Sequence, residues 1–165
     1  MVTRISKIAL LAGLALFYTL VVFNNLTDFD SNYQFVRHVL SMDTTFPGNQ
    51  CMYRALMSPS IHIAFYCSII CWEALTGLSL WWGIARLARS LRLPAADFNA
   101  AKRVPLIALT LSLLMWLVAF LAIGGEWFLM WQSAKWNGQQ PAFQNFVVVG
   151  LIYLILLHSD TDHQP

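Results

Sequence analysis

Four apolar stretches alternate with polar connections along this chain of 165 residues, and their spacing predicts four membrane-crossing helices. We expect these helices at residues 5–23, 59–86, 105–131 and 143–157. A helix needs about 20 apolar residues to cross a hydrocarbon core about 30 Å thick, so the first and last stretches are short for this task. The fourth is rich in β-branched residues, but a lone strand would leave its backbone unpaired in lipid, which favours a helix there too.

The pattern therefore predicts an all-α membrane protein with a single domain over residues 1–165. Its expected architecture is a four-helix bundle with a short helical extracytoplasmic cap, residues 24–58, between helices 1 and 2. Structureless loops of that length are uncommon. Asp30 or Ser31 could begin a cap helix near Asn32, and a second short helix is expected at about residues 50–57. The apolar positions of the first cap helix share one face: Tyr33, Val36, Val39 and Leu40.

Basic residues predict the orientation of the four helices. Because positive charges collect on the cytoplasmic side, both termini and the second loop are expected there. The first stretch resembles a signal peptide, but no small-x-small site follows it, so we expect an uncleaved helix. Two groups of basic residues carry the argument: Arg4, Lys7, Arg86, Arg89, Arg92, Lys102 and Arg103 on the inner side, against Arg37, Arg54 and Lys135 on the outer side.

Composition agrees with a membrane protein. Apolar residues make up 58% of the chain and charged residues 11%, against roughly 45–50% and 25% in soluble domains. The net charge of +2, with no basic stripe interleaved with aromatic residues, argues against nucleic-acid binding. Cys67 and Cys71 lie four residues apart on one predicted helix, which does not suit a disulfide. They and Cys51 are expected to be small, buried apolar residues.

Ionisable residues inside the membrane are rare and are candidates for function. Glu73 lies near the middle of the second apolar stretch, on a face that should point into the bundle. Glu126 follows Gly124-Gly125, and Ser112 and Ala119 precede it at seven-residue steps, which predicts a common face. The preferred contact of Glu126 is His62, joined by Arg54 or Arg37. The favoured interpretation of the two glutamates is structural: Glu73 is protonated or hydrogen-bonded and fixes the helix register, and Glu126 lies at the membrane interface. The candidate polar cluster is His62, Tyr66, Glu73 and Glu126, with Thr76 on the same face as Glu73.

The predicted cap holds a second set of candidate residues. A lid over a cleft would need polar and charged groups, although a cap that merely covers helix ends would also carry them. The candidate outer-cap cluster is Asn24, Asn25, Asp28, Arg37, His38, Asp43 and Arg54. The C-terminal tail, with Asp160, Asp162 and His163, could bind a metal loosely, but frayed disorder is the favoured interpretation.

Several runs of the predicted cap resemble those of a bacterial family of predicted small integral membrane proteins that carry a domain of unknown function. The resemblance extends over nearly the whole chain and implies a bacterial inner membrane protein with four helices. It implies no activity, cofactor or catalytic residue. The runs that carry it are Asn24 to Asn32, Phe35 to Thr44, and Arg54-Ala55-Leu56.

No catalytic or cofactor motif stands out, so the favoured function is a non-enzymatic accessory or binding subunit. It would use the cap and one helix face, including Ser79 and Gly83, to contact a membrane protein partner or a second copy. One alternative is a small proton-coupled transporter that uses the membrane glutamates. Another is an enzyme acting on lipid or quinone at the outer surface, through Asp28, Asp43, His38 and Glu126. The sequence identifies no cofactor; a metal held by glutamate and histidine, or a haem, is a lesser alternative.

Overall fold

The computed structural model describes residues 1–162, and within them it is all-helical. Helix α5 continues directly into a π-helical segment, Met115–Trp127, and short 3₁₀ turns occupy Met52–Arg54 and Met130–Gln132. The α-helices are α1 (Val2–Thr27), α2 (Phe29–Ser41), α3 (Pro59–Arg89), α4 (Ala95–Ala101), α5 (Arg103–Leu114) and α6 (Gln139–Leu157).

Four helical stretches are long and apolar enough to cross a membrane, which confirms the predicted fold class. They are Val2–Thr27, Pro59–Arg89, Ala95–Trp127 and Gln139–Leu157. The predicted bounds were too narrow at α1, which has 26 residues and so extends about 39 Å. As a result, Asn24 and Asn25 lie on α1 and not in the connection that follows it.

Helix α3 lies at the centre of the packing, between α1 and α5, while α6 packs against α5 and the π-helical segment. Close approach of α3 to α5 depends on Gly83, where an added Cβ would lie 2.8 Å from Pro105. The small-residue face proposed for a partner is therefore occupied at Gly83 by the chain's own α5. That part of the sequence-based hypothesis was wrong.

A buried hydrogen-bonded group joins α1, α5 and the π-helical segment in the middle of the bundle. The hydroxyls of Tyr18 and Ser112 lie 2.5 Å apart, and the Trp116 indole donates to the Tyr18 oxygen at 3.1 Å. Tyr18 also packs against Gly77 of α3, where an added Cβ would lie 3.2 Å from the tyrosine Cβ. Each polar atom is paired inside the protein, as a hydrocarbon environment requires.

The connection between α1 and α3 contains the amphipathic helix that the sequence predicts. In α2, Val36, Val39 and Leu40 are buried, and they form one apolar cluster with Tyr66 and Ile70 of α3. Helix α2 begins at Phe29, earlier than expected. The second cap helix is reduced to the 3₁₀ turn, and Leu56 closes the connection by donating its backbone N–H to Leu40 O at 2.8 Å.

Both ends of the described chain meet the α3–α5 connection at one end of the bundle, which we call the terminal end; the opposite end, with α2, is the cap end. Asp160 accepts a hydrogen bond from Lys7 at 2.7 Å and another from Lys102, and all three side chains are at most 6% exposed. Asp162 accepts from the backbone N–H of Ala95 at the start of α4.

The expectation of a frayed tail was therefore wrong for the residues up to Asp162, because the two lysines hold Asp160 in place. His163 lies outside the described residues. The expectation of buried cysteines was also wrong for Cys67 and Cys71, which lie exposed on the outward surface of α3. All three cysteines are unpaired.

Substitution of Gly83 by alanine should destabilise the bundle by about 1–3 kcal/mol, because the added methyl group must displace Pro105 or move α5. Gly13→Ala is the matched control, since its Cβ would meet nothing within 4 Å and alanine stabilises a helix by up to about 1 kcal/mol relative to glycine. Reversible unfolding in a denaturing detergent would compare the two. Equal effects of the two substitutions would contradict the tight α3–α5 contact.

Asp160→Asn should destabilise the protein by about 3 kcal/mol, because Lys7 and Lys102 would stay buried without a counter-charge. Burial raises the pKa of the Asp160 carboxyl, but hydrogen bonds from Lys102 and Lys7 outweigh it, and the net shift is downward from the ordinary 3.8. The contribution of Asp160 is thus complete above pH 3.8 and is lost as the pH falls through its lower folded pKa.

Thermal unfolding in mild detergent as a function of pH would test this prediction. The melting temperature of the wild type should fall as the pH drops below 3.8, and that of Asp160→Asn should change less over the same range. Asp162→Asn is the control, because the Asp162 side chain is 62% exposed. An Asp160→Asn protein as stable as this control would refute the role of the cluster.

Candidate functional site

Glu73 lies buried on the inward face of α3, as the sequence predicts, together with His62, Tyr66 and Thr76. Only 4% of Glu73 is exposed. An ionisable group at such a depth costs several kcal/mol unless protein groups shelter it or it is neutral. The surroundings of its carboxyl group therefore decide what this residue can do.

A short relay of side-chain amides reaches Glu73 from the cap end. Asn32 of α2 donates through Nδ2 to Asn25 Oδ1 at 2.7 Å, and Asn25 of α1 donates through its own Nδ2 to Glu73 Oε2 at 2.7 Å. The Asn25 amide accepts a hydrogen bond from Asn32 and donates one to Glu73, so it bridges the two side chains. The relay thus uses Glu73 as an acceptor and ties together α1, α2 and α3.

Sequence reasoning placed Asn25 in the wrong group and did not single out Asn32. Asn25 was assigned to the cap cluster because α1 was expected to end at Phe23, whereas α1 reaches Thr27. A usable signal was present in the chain. Asn25 follows Tyr18 by seven residues, close to two helical turns of α1, and so lies on the same face of that helix.

Tyr66 lies seven residues before Glu73 on α3, about two helical turns toward the cap end. Its hydroxyl group is unusual because it has no hydrogen-bond partner within residues 1–162. Its ring is 2% exposed and packs edge-on against Phe29, with centroids 4.6 Å apart. Among the buried side-chain nitrogen and oxygen atoms of the described residues, its hydroxyl alone has no hydrogen-bond partner. Buried polar groups are nearly always paired, so this enclosed hydroxyl group should lower the stability of the protein.

Glu73, Asn25, Asn32 and Tyr66 line one cavity of about 240 Å³, which we call the polar chamber. Asn145 of α6 adds a further amide to its wall; its Nδ2 donates to Pro141 O at 3.0 Å. Most of the remaining wall is apolar and aromatic. Among the described residues that line the chamber, none is lysine, arginine or histidine. The aromatic members of the lining are Phe35, Tyr66, Trp116 and Phe120.

A second cavity of about 190 Å³, the apolar cavity, adjoins the polar chamber. Both cavities are lined by Phe35, Val36, Ile69 and Phe120, so these four side chains form the boundary between them. Apart from Ser68, the side chains that line the apolar cavity are apolar or aromatic, with Gly124 in its wall. The pair of cavities therefore offers polar groups at one side and an apolar space beside them.

Glu126 does not belong to this site, and the expected His62–Glu126 pair was wrong. Glu126 is exposed and makes no side-chain hydrogen bond or ion pair with any residue the structure describes. His62 Nε2 instead lies 2.7 Å from Leu56 O in the connection before α3. The π-helical segment explains why the predicted pair does not form. Its wider i→i+5 turns rotate Glu126 away from the face of Ser112.

The charged members of the predicted cap cluster form several small groups around the cap end. His38 Nδ1 lies 2.8 Å from Asp43 Oδ2, and its ring stacks on Trp136 with centroids 4.7 Å apart. Arg37 is exposed and donates to Gln34 Oε1 at 3.2 Å. Arg37, Asp43 and His62 do line one common groove beneath α2.

The remaining members stabilise helix ends. Asp28 precedes α2 and accepts a hydrogen bond from Ser31 Oγ at 2.6 Å. Asn24 is exposed, and its carbonyl closes the last turn of α1. Arg54 donates to Trp127 O at 3.3 Å and lies over the indole ring of that residue. None of these three touches the polar chamber.

A metal centre finds no support in this arrangement. Within residues 1–162, no group of three or more His, Cys, Asp or Glu side chains is placed to hold a metal ion. Glu73 and Glu126, the two glutamates considered for such a site, lie in different surroundings: one faces the chamber and the other is exposed.

A family model described as "Predicted small integral membrane protein (DUF2165)" matches residues 3–159. The chain belongs to this family. It is therefore an integral membrane protein with four candidate spans. The match covers the residues of the polar chamber and both lysines, Lys7 and Lys102, and it ends one residue before Asp160. No curated protein matches the chain, and neither does any solved structure.

Replacement of Tyr66 by phenylalanine should stabilise the protein, freed of bound molecules by washing in detergent, by about 1 kcal/mol. The substitution removes a buried hydroxyl that has no partner, and such groups cost about 1–3 kcal/mol. Tyr18→Phe is the matched control and should destabilise by about 1–2 kcal/mol, because it removes the partner of Ser112 and Trp116. Unfolding measurements that gave both variants the same sign would contradict the assignment of Tyr66 as unpartnered.

Proposed function

We propose that this member of the DUF2165 family is a non-enzymatic binding protein of the membrane that holds a small molecule in the polar chamber. The observation that carries the proposal is the buried carboxyl group of Glu73 in the wall of a cavity, where its Oε1 has no hydrogen-bond donor among the described residues. A chain that buries such a group only for stability would pair it, because unpaired polar groups cost most in an apolar environment. A bound molecule with a hydrogen-bond donor would pair with Oε1.

The packing below the chamber supports binding over transport. Between Glu73 and the terminal end, Thr76, Leu80 and Leu87 of α3 are fully buried, and the hydrogen-bonded group around Tyr18 fills the middle of the bundle. A carrier would need a route past this layer. The described bundle offers a chamber that is closed toward the terminal end, which suits retention of a molecule.

The scattering of the cap residues favours binding over catalysis at the outer rim. An enzyme built on Asp28, Asp43, His38 and Glu126 would need these groups near one substrate. Instead Asp28 accepts from Ser31, His38 pairs with Asp43, and Glu126 is exposed. An accessory role with a membrane protein partner or a second copy stays compatible with a chamber that holds a ligand.

The proposed setting is the bacterial inner membrane, with both termini in the cytoplasm and the cap end outside. Its support is the distribution of basic residues, because arginine and lysine favour the cytoplasmic side. In this orientation the chamber lies in the outer half of the bilayer. A ligand would then enter from the outer leaflet or the space beyond it.

Mass spectrometry of the tagged protein, recovered from its native membrane in mild detergent, would test the binding function. We expect a small molecule or lipid at near-stoichiometric amounts with the wild type. Ile69→Trp should abolish its retention, because Ile69 lines both cavities and the larger ring would fill them. Ile63→Trp is the matched control, since Ile63 is exposed on the same helix and its substitution should leave retention intact.

Two results would count against the proposal. One is a wild-type protein that retains no small molecule in stoichiometric amount. The other is equal retention by wild type and Ile69→Trp, since the retained molecule would then lie elsewhere. Recovery of a stoichiometric protein partner alone, with an empty chamber, would replace the binding function with a purely accessory one.

A further inference from the structure

The charge of the polar chamber is the feature that narrows the class of ligand. Glu73 is 4% exposed, and no ion pair of the described residues includes it. No lysine, arginine or histidine lines the cavity among the described residues. A phosphate or carboxylate ligand would therefore meet a carboxyl group and no compensating cation, so the chamber disfavours anions.

The hydrogen bonds around Glu73 all run toward its carboxyl group as the final acceptor. Asn32 donates to Asn25, and Asn25 donates to Glu73 Oε2, so the relay delivers N–H groups to the carboxyl as it would to an anion. The same bonds leave Oε1 of Glu73 free of any protein donor among the described residues. The Tyr66 oxygen is also unpaired, but it is enclosed by protein atoms and is not accessible from the chamber.

The aromatic lining adds a second and independent indication. Phe35, Trp116 and Phe120 line the chamber together with Tyr66. Trp116 and Phe120 have ring centroids 4.9 Å apart, and those of Phe35 and Phe120 lie 6.5 Å apart. Ammonium groups bind favourably over the faces of such rings, and aromatic cages are a common means of recognising them.

We propose that the polar chamber binds an organic ammonium group, with Glu73 as its counter-charge and the aromatic rings as its walls. This inference rests on the proposed binding function and specifies its ligand. The ammonium belongs to an amphiphile, whose apolar part occupies the adjoining apolar cavity. A small amine and the terminal ammonium of an aminolipid head group share this chemistry, and the phosphate of the aminolipid would have to stay outside the chamber.

The sizes of the cavities agree with an amphiphile of modest length. Sites for drug-sized molecules occupy roughly 300–1,000 Å³. The polar chamber, at about 240 Å³, falls short of that range by itself. With the apolar cavity of about 190 Å³ beside it, the available space reaches the lower part of the range. A head group in one cavity and a short alkyl segment in the other would use both.

Titration calorimetry of the full chain in an uncharged detergent, with three probes of equal chain length, would test the ligand class. The probes are n-hexylammonium, n-hexanol and n-hexanoate. We expect n-hexylammonium to bind most tightly and n-hexanoate not to bind. Glu73→Gln, which keeps the shape and one hydrogen bond of the side chain, should weaken n-hexylammonium by at least about tenfold. Glu126→Gln is the matched control for loss of an exposed glutamate and should change nothing.

A second variant keeps the test decisive if Glu73→Gln folds poorly. Phe120→Leu leaves the carboxyl group and its relay untouched but removes one ring from the chamber wall. It should weaken n-hexylammonium by about fivefold while leaving n-hexanol nearly unchanged, because only the cation gains from the ring face. Equal weakening of both probes would indicate lost packing and contradict the role of the ring.

Native mass spectrometry from nanodiscs that contain equal amounts of phosphatidylethanolamine and phosphatidylglycerol would identify the source of the ammonium. Retention of phosphatidylethanolamine by the wild type and its loss in Glu73→Gln would assign an aminolipid head group. Binding of n-hexylammonium without any lipid preference would assign a free amine. Both results support the inference.

The inference fails separately from the proposed function. If n-hexanol binds as tightly as n-hexylammonium and Glu73→Gln affects neither, the chamber takes a neutral head group, and the binding function stands without its cation. If no probe binds and the native protein also retains no small molecule, both the ligand class and the binding function are wrong.

Discussion

The close contact between α1 and α3 determines the geometry of the polar chamber. Gly77 allows the two helices to approach, since any side chain there would press on Tyr18. Toward the cap end of the same contact, Asn25 comes within hydrogen-bonding distance of Glu73. In a hydrocarbon environment there is no water to hydrogen-bond these polar groups, so they must pair with one another or with a bound molecule. The helix contact thus decides which groups are paired and which are left available.

Carboxyl groups are buried in different surroundings at the two ends of the bundle. At the terminal end, Asp160 lies between Lys7 and Lys102, and these charges fasten the end of the chain to α1 and to the start of α5. At the cap end, α2 closes over the bundle through apolar packing against Tyr66 and Ile70. The first arrangement is stabilised by charge and the second by apolar packing. The polar chamber lies at the cap end.

Much of the fold could be predicted from the sequence because apolar length and helical periodicity report directly on burial. The four spans, the amphipathic α2 and the inward face of α3 around Glu73 all follow from spacing alone. The predicted helix ends were less accurate. Polar residues such as Asn25 suggest the end of a helix, but here Asn25 is held on α1 by its partners Glu73 and Asn32.

The candidate site was harder to predict because it depends on how faces of different helices meet. Glu126 was expected inside the bundle because seven-residue steps return to the same face of an α-helix. In the π-helical segment Met115–Trp127, residues seven apart do not share a face, and no residue type there predicts a π-helix. The aspartates of the tail could not be assigned for a similar reason, since Lys7 and Asp160 are 153 positions apart in the chain. Long-range pairs of this kind leave no local pattern.

The contrast between Asp160 and Glu73 is the strongest physical argument for a binding role. Where this chain buries a carboxylate for stability, it supplies two lysines within hydrogen-bonding distance. Where it buries Glu73, the groups supplied are one amide and aromatic rings around a cavity. A buried charge without a partner is destabilising by several kcal/mol, so a purely structural glutamate would gain from a lysine or from replacement by an apolar residue. The arrangement becomes favourable when a cation from outside the chain occupies the chamber, because that cation then takes the place that the lysines hold at Asp160.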